Sequence, residues 1–244
     1  MQLLENALSD DDIAVLKNYW EKNNHLYYIN AYTADDHAYR EKSDFIDRRL
    51  LIVEGTKAWN VVRKVVDTVL PGEPIWANFQ QQTICHELHV DEYGKDRENP
   101  TWTIVLALED QPKFKAVIFK EIFNDGFALS KAISELPYNQ PPQTNVSETD
   151  DCDHMDKWVN GKNYNWCNWL TLDGVFTYRK GWGVLFDSNQ AHTTSNWVKY
   201  PEFTYRQLVQ IHIGKTALTN DTHAREGRGQ LPPDDAYLKT VLVE

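Results

Sequence analysis

Hydrophobic residues recur at two different periods along this 244-residue chain. Near its start, Ser9 precedes three aspartates and then an apolar stripe of Ile13, Leu16 and Trp20, which predicts a capped amphipathic helix. A second repeat of three to four residues runs over 56–70 and stops at a Pro-Gly pair, so it predicts a second helix. Each amphipathic helix needs a surface to cover.

From Ile75 onwards the apolar pattern becomes that of short strands punctuated by turn residues, which favours a sandwich or barrel. Most of these strands are not separated by a helix of crossover length, so we expect antiparallel pairing. The prediction is a mainly β fold, a double-sheet jelly roll with flanking helices. Its strands are expected at 75–89, 101–108, 113–123, 166–178, 183–186 and 203–213.

The length favours one elaborated domain rather than several. In this interpretation residues 1–72 form a helical N-terminal support and 73–213 form the jelly-roll core. Residues 124–165 are a polar insertion with a short helix near 128–136. The tail, 214–244, ends in an apolar stretch from Leu238 to Val243 that we expect to dock on the body.

Composition narrows the range of partners. The 25 Lys and Arg residues against 36 Asp and Glu give a net charge of −11, which repels phosphate backbones and disfavours nucleic acid. No apolar segment approaches the roughly 20 residues that span a bilayer. Three scattered cysteines suit a reducing compartment. We therefore expect a cytoplasmic protein without a membrane partner, and the oligomeric state stays open.

The segment His89-Val90-Asp91 places a nitrogen and an oxygen ligand two positions apart at the end of a predicted strand. Side chains at i and i+2 share one face of a strand, so both can reach one cation. His192, just after the predicted strand 183–186, is the candidate for a third ligand. Two histidines and one carboxylate on one face suit non-haem iron(II) and leave three coordination positions open.

Arg206 lies on a strand whose other face is apolar at Phe203, Tyr205, Val209, Ile211 and Ile213. If that apolar face packs beneath the helices, Arg206 points into the interior. A buried guanidinium needs an anion, and its fork of donors matches a carboxylate.

The ordered set His89-x-Asp91, His192 and Arg206 resembles the Fe(II)/2-oxoglutarate-dependent oxygenase superfamily, in particular the prolyl-hydroxylase-like branch and its phage relatives. Two segments resemble that branch further: RENPTWTIVLAL over 97–108, and GWGVLFDSNQAH over 181–192. The resemblance spans about 75–213 and leaves out the insertion.

This resemblance implies a cupin-like double-stranded β-helix in which His89, Asp91 and His192 hold Fe(II) and carry catalysis. It also implies 2-oxoglutarate as co-substrate, with Arg206 on its C5 carboxylate, and O2 as oxidant. The expected reaction is hydroxylation of an unactivated C–H bond in a peptide side chain or small metabolite. Related halogenases have a small residue in place of the carboxylate, so Asp91 favours hydroxylation.

The usual companion of the arginine is a hydroxyl residue two positions later, where this chain has Leu208. The second contact to the C5 carboxylate must then come from elsewhere, with Thr204, Tyr178 and Thr194 as candidates. Asn189 and Gln190 are candidate partners for the histidine rings.

Other interpretations remain open. The chain could be a cupin-like metal enzyme that does not use 2-oxoglutarate, or a metal-free jelly roll with an interaction or structural role. Arg206 could pair with an internal carboxylate. His86, three positions before His89, is expected to face away from it on a strand and to be structural. Cys152, His154 and Cys167 lack the compact spacing of a zinc site and predict a solvated loop.

Overall fold

The computed structural model describes residues 1–29, 47–73, 75–83, 86, 88–91, 101–124, 126–135, 158–159, 162–163, 170–195, 205–214 and 235–243. The strands are β1 Gln2–Leu4, β2 Tyr28–Ile29, β3 Asp47–Leu51, β4 Ile75–Gln82, β5 Trp102–Ala107, β6 Gln111–Ile122, β7 Trp158–Val159, β8 Lys162–Asn163, β9 Leu172–Tyr178, β10 Gly183–Asp187, β11 Gln190–Thr194 and β12 Arg206–Ile213. The helices are α1 Asp10–Asn23, α2 Lys57–Val69, α3 Gly126–Ser134 and α4 Asp235–Val241, and a 3-10 turn, Asn24–Leu26, follows α1.

Both predicted N-terminal helices are confirmed, and their first turns explain where they begin. The Ser9 hydroxyl accepts the Asp12 N–H at 3.1 Å and the Asp12 carboxylate accepts the Ser9 N–H at 3.0 Å, a reciprocal capping box. The Thr56 hydroxyl accepts the Trp59 N–H at 3.1 Å at the start of α2. Of the described helices, none combines the length and apolar character needed to cross a bilayer.

The strands form two main sheets and a small hairpin, and every described pairing is antiparallel, as expected. The larger sheet has the order β1-β10-β5-β12-β4-β3-β2, and the smaller has the order β11-β6-β9. One isolated antiparallel bridge pairs His89 with His192, which lies in β11, and so adds the segment at His89 to the edge of that strand. The N-terminal region, predicted as helical only, therefore also supplies three strands to the larger sheet.

The order of pairing identifies the fold. Along the chain from β4 to β12, the first strand pairs with the last, the segment at His89 with β11, β5 with β10, and β6 with β9. Such nested pairing is one long hairpin wound into a roll, with its segments distributed between two facing sheets. The mainly β double-stranded β-helix predicted from the sequence is confirmed.

Both faces of the larger sheet are buried, and they differ in chemistry. The outer face packs under α1 and α2, for example through Trp20, whose ring stacks on Phe79 with centroids 4.9 Å apart. On β12 three of the four outward residues are apolar, namely Val209, Ile211 and Ile213, as the alternation predicted, and the fourth is Gln207. The inner face of β4 and β12 is largely polar, with Asn78, Gln80, Gln82, Arg206, Gln210 and His212 all buried.

The C-terminal stretch docks on the body, as expected. Leu238 of α4 is fully buried against Leu51, Val53 and Trp76. The side chain of Asn23 then holds the end of the tail: its Nδ2 donates to the Val243 carbonyl and its Oδ1 accepts the Val243 N–H, both at 2.8 Å.

Only part of the predicted insertion can be compared with the structure. Its short helix is α3, which begins and ends two residues earlier than predicted. β7 and β8 form a small hairpin within the insertion. The remainder, including Cys152 and His154, lies outside the described residues, as does Cys167.

Candidate metal centre

His89 and His192 are neighbours because their backbones pair directly. The His89 N–H donates to the His192 carbonyl at 3.0 Å, and the His192 N–H donates to the His89 carbonyl at 2.9 Å. Two residues that exchange both hydrogen bonds lie opposite each other on antiparallel strands, with their side chains on the same face. The two imidazole rings accordingly lie with centroids 4.2 Å apart.

Asp91 reaches the same point from two positions further along the chain. Its N–H donates to the Ser188 carbonyl at 2.8 Å, which fixes the backbone. Its Oδ1 lies 3.8 Å from His89 Nε2 and 3.7 Å from His192 Nε2. All three potential ligand atoms lie within 4.8 Å of one another. The structure thus brings together the three residues proposed from the sequence.

The ring orientation of His192 suits a metal ligand. Its Nδ1 lies 2.9 Å from the Gln190 carbonyl. A carbonyl oxygen can only accept, so Nδ1 carries a proton, and Nε2 is the ring nitrogen that faces Asp91 and could bind a metal. The contact of His192 is with the main-chain carbonyl of Gln190, whereas the Gln190 side chain, a candidate partner from the sequence, bonds to Phe119 and Asp173.

Asp91 is a buried carboxylate surrounded by imidazoles. Burial by itself raises the pKa of the Asp91 carboxyl. Neighbouring groups outweigh burial and hold that pKa below its usual value; they are His192, His212, His89 and the hydrogen bond from Thr103. Asp91 is therefore ionised at neutral pH and can supply the negative charge of a metal site.

The donor set fits a divalent transition metal. Separations of 3.7 and 3.8 Å are too long for hydrogen bonds between Asp91 and the two imidazoles. A six-coordinate cation with bonds of about 2.1 Å separates adjacent ligand atoms by about 3 Å, so side-chain movements of less than about 1 Å would close the three atoms around it.

The second carboxylate oxygen of Asp91 is held by Thr103, a residue of β5 that no sequence motif indicated. The Thr103 hydroxyl donates to Asp91 Oδ2 at 2.6 Å. Thr103 lies in turn 2.9 Å from the Ser188 hydroxyl and 3.4 Å from His212 Nδ1. This contact leaves Oδ1 as the oxygen that faces both histidines, so it favours monodentate coordination.

Substitution of Thr103 should therefore weaken metal binding without removing a ligand. We expect Thr103→Val to lower the affinity for Fe(II) or Mn(II) about 10- to 100-fold, the usual effect of losing a partner of a metal ligand. Thr103→Ser keeps the hydroxyl and should bind metal like the wild type. Competition with a chromogenic chelator measures both variants, and equal affinity of the valine and serine variants would contradict this role.

Arg206 points into the roll from the inner face of β12 and is only 2% exposed. Its Nε donates to Gln82 Oε1 at 2.6 Å and its Nη1 donates to the Tyr178 hydroxyl at 3.2 Å. The guanidinium carbon also lies 5.5 Å from the centroid of the Tyr178 ring. Among the described residues these are its contacts, and none is a carboxylate, so the alternative of an internal ion pair finds no support there.

The candidates for a second carboxylate contact differ in their placement. Tyr178 lies beside Arg206, and burial raises the pKa of its phenol although Arg206 lowers it in part, so it stays protonated. The Thr194 hydroxyl accepts the His86 N–H at 2.8 Å and lies 3.2 Å from the His86 carbonyl, so its proton is directed to the backbone. Thr204 lies outside the described residues. Leu208 belongs to the apolar interior.

The prediction that His86 faces away from His89 is wrong. The predicted strand 75–89 ends at Gln82, and beyond it strand alternation no longer fixes the direction of side chains. The rings of His86 and His89 lie with centroids 5.6 Å apart, and His86 Nε2 lies 2.6 Å from Gln82 Nε2. Burial, and then the charge of Arg206, hold the pKa of His86 well below its usual value, so its ring is neutral.

Sequence reasoning also missed Gln82 and Ser188. A usable signal existed on β4, where the polar residues at 78 and 80 alternate with the apolar residues at 77 and 79, and on β5, where Thr103 has the same orientation as Val105. Such alternation predicts two faces but does not reveal that the polar face is enclosed.

No family model and no curated protein matches this sequence. Similar solved structures include the non-haem α-ketoglutarate-dependent carbocyclase SnoK from nogalamycin biosynthesis, with a TM-score of 0.48, 11% identity, and coverage of 91% of this chain and 85% of that chain. A prolyl-4-hydroxylase from Pseudomonas putida has a TM-score of 0.47 and 13% identity over 87% of this chain and 90% of its own. HygX from Streptomyces hygroscopicus, with nickel and 2-oxoglutarate bound, has a TM-score of 0.46 and 13% identity, with coverage of 88% and 82%.

Proposed function

We propose that this chain is an Fe(II)- and 2-oxoglutarate-dependent dioxygenase that hydroxylates an unactivated C–H bond of a peptide side chain or small metabolite. One observation carries the proposal. Inside one roll, His89, Asp91 and His192 converge on a common point, and the same interior contains the buried cation Arg206 without a carboxylate partner among the described residues.

The metal ligands select the chemistry. Two imidazoles and one carboxylate that leave coordination positions open suit non-haem iron(II), whereas a structural zinc site uses four protein ligands. Bound iron would activate O2 to convert 2-oxoglutarate into succinate and CO2, with the second oxygen atom entering the substrate as a hydroxyl group. The role of the chain is to hold the three ligand atoms and leave room for the reactants.

Arg206 and Tyr178 would bind the distal carboxylate of 2-oxoglutarate. Only two of the five guanidinium N–H groups donate to described residues, and the phenolic proton of Tyr178 has no acceptor among them. An anion between these two side chains would receive charge-assisted hydrogen bonds from both. Burial strengthens this attraction because little water is present to screen it.

Apolar residues beside the triad would limit the access of water. The Phe186 ring lies 4.8 Å from the His192 ring, and Val184, Ala191, Leu208 and Phe176 belong to the same buried cluster. A dry interior keeps the oxidant away from solvent and directs it to the substrate.

The test is anaerobic addition of Fe(II) and 2-oxoglutarate to the full chain, followed by a visible absorption spectrum. Chelation of iron by the 2-oxo acid should give a weak charge-transfer band, and admission of O2 should then release succinate. Zinc in place of iron is the control and should give no band. Iron binding without the band would favour a cupin-like enzyme that does not use 2-oxoglutarate, and failure to bind metal would favour a metal-free roll.

A further inference from the structure

Three buried polar residues form a row across adjacent strands at one end of the larger sheet. Gln82 at the end of β4 is in register with Asp47 of β3 on one side and with Arg206 of β12 on the other. Asp47 is 1% exposed, Gln82 is fully buried, and Arg206 is 2% exposed. A carboxylate and a guanidinium thus lie two strands apart with one neutral side chain between them.

The hydrogen-bonding groups of Asp47 and Arg206, at the two ends of this row, determine which side chain can lie between them. Arg206 can only donate hydrogen bonds, and the carboxylate oxygens of Asp47 face the donors Arg49 and Gln82. Gln82 satisfies both, because its Oε1 accepts from Arg206 Nε at 2.6 Å and its Nε2 donates to Asp47 Oδ1 at 3.1 Å. A glutamate at position 82 would satisfy the arginine but repel Asp47, and a lysine would do the reverse.

Neighbouring groups hold both Asp47 and Gln82 in place. The other oxygen of Asp47 accepts from Arg49, at 3.0 Å from Nε and 2.9 Å from Nη2, so its charge is already paired. Gln82 Nε2 also lies 2.7 Å from Gln80 Oε1. These contacts fix the side-chain amide of Gln82 and, through it, the Nε edge of Arg206.

We propose that Gln82 is a positioning and specificity residue. It orients Arg206 towards the interior of the roll and separates it from the buried carboxylate of Asp47, so that Arg206 stays available to select a 2-oxo acid with a distal carboxylate. This inference rests on the proposed function, in which Arg206 binds that carboxylate. Gln82 acts through Arg206 and does not itself contact substrate.

The test exchanges the carboxylate at position 47 with the side-chain amide at position 82. In the double variant Asp47→Asn with Gln82→Glu the total charge is unchanged, but a carboxylate now contacts Arg206 and occupies it. The full chain loaded with Mn(II) is titrated calorimetrically with 2-oxoglutarate and with 2-oxopentanoate, which has the same carbon chain but a methyl group in place of the distal carboxylate. The wild type should prefer 2-oxoglutarate by about 30-fold or more, and the double variant should lose this preference.

A matched control and a second variant make the outcome decisive. Gln81→Glu introduces the same change one position earlier on the opposite face of β4, and should keep the wild-type preference. Gln82→Met adds no buried charge and should weaken binding of 2-oxoglutarate about tenfold while leaving that of 2-oxopentanoate unchanged. This difference between the two acids separates a loss of positioning from general damage, because general damage would weaken the binding of both acids and of the metal alike.

Failure of the inference and failure of the proposed function give different results. Equal binding of the two acids by the wild type would show that Arg206 does not bind the distal carboxylate, and would thereby contradict the proposed function. A wild type that prefers 2-oxoglutarate, together with Gln82→Met and double variants that keep this preference, would overturn the role of Gln82 alone. That role is also overturned if Gln82→Met weakens the binding of the two acids equally.

Discussion

Asp91→Asn is expected to abolish tight iron binding. The substitution keeps the shape of the side chain and an oxygen that can accept from Thr103, but it removes the only anion among the three ligands. Loss of a partner of a ligand commonly costs 10- to 100-fold in metal affinity, and we expect loss of the anionic ligand itself to cost more than about 100-fold. Chelator competition with Fe(II) or Mn(II) measures the change.

The fold of this variant should survive, because asparagine keeps the size of the side chain and an oxygen that can accept from the Thr103 hydroxyl. The thermal midpoint without metal should therefore stay close to that of the wild type, while the stabilisation that metal gives the wild type should disappear. Asp11→Asn, on the exposed first turn of α1, is the matched control. Undiminished metal affinity in Asp91→Asn would show that this carboxylate is not a ligand.

Arg206→Met should separate co-substrate binding from metal binding. Methionine retains an apolar stem in place of the arginine side chain but cannot donate to a carboxylate. We expect the affinity for 2-oxoglutarate to fall by about 2–5 kcal/mol, roughly 30- to 4,000-fold, while the affinity for iron stays nearly unchanged. Titration of the metal-loaded chain with 2-oxoglutarate provides the measurement.

Arg179→Met is the corresponding control, because Arg179 is exposed and stacks on Trp182 rather than entering the roll. It should bind 2-oxoglutarate like the wild type. If Arg206→Met does so too, Arg206 serves packing and the hydrogen bond to Gln82 rather than the co-substrate. A parallel loss of iron affinity would point to disruption of the interior as a whole.

The sequence predicted the fold class because it depends on simple periodicities, whereas the grouping of His192 with His89 and Asp91 was expected from the order of these residues and from the resemblance to the oxygenase superfamily. The alternation on β12 predicted that Val209, Ile211 and Ile213 face the helices and that Arg206 faces the interior. The structure agrees. The HxD pair required only that side chains two positions apart share a face. The helices were recognisable from their caps and three-to-four-residue repeats.

Other parts were not predictable in this way. β11, which carries His192, has the sequence Gln190 to Thr194, in which apolar and polar residues do not alternate, and all five of its residues are buried. The contact of Thr103 with Asp91 depends on how the two sheets face each other, and periodicity along one strand contains no such information. For the same reason the carboxamide of Gln82 could not be assigned to a partner from a neighbouring strand.

The nested order of strand pairing has a consequence for biosynthesis. β4 and β12 are the outermost partners of the wound hairpin, and His89 and His192 are more than a hundred positions apart in the chain. Closing such distant pairs costs loop entropy before it yields contacts, so this topology folds slowly. While the ribosome is still extending the chain short of β12, the sheet that holds Arg206 is incomplete. A site that requires Arg206 can therefore form only after β12 has been synthesised.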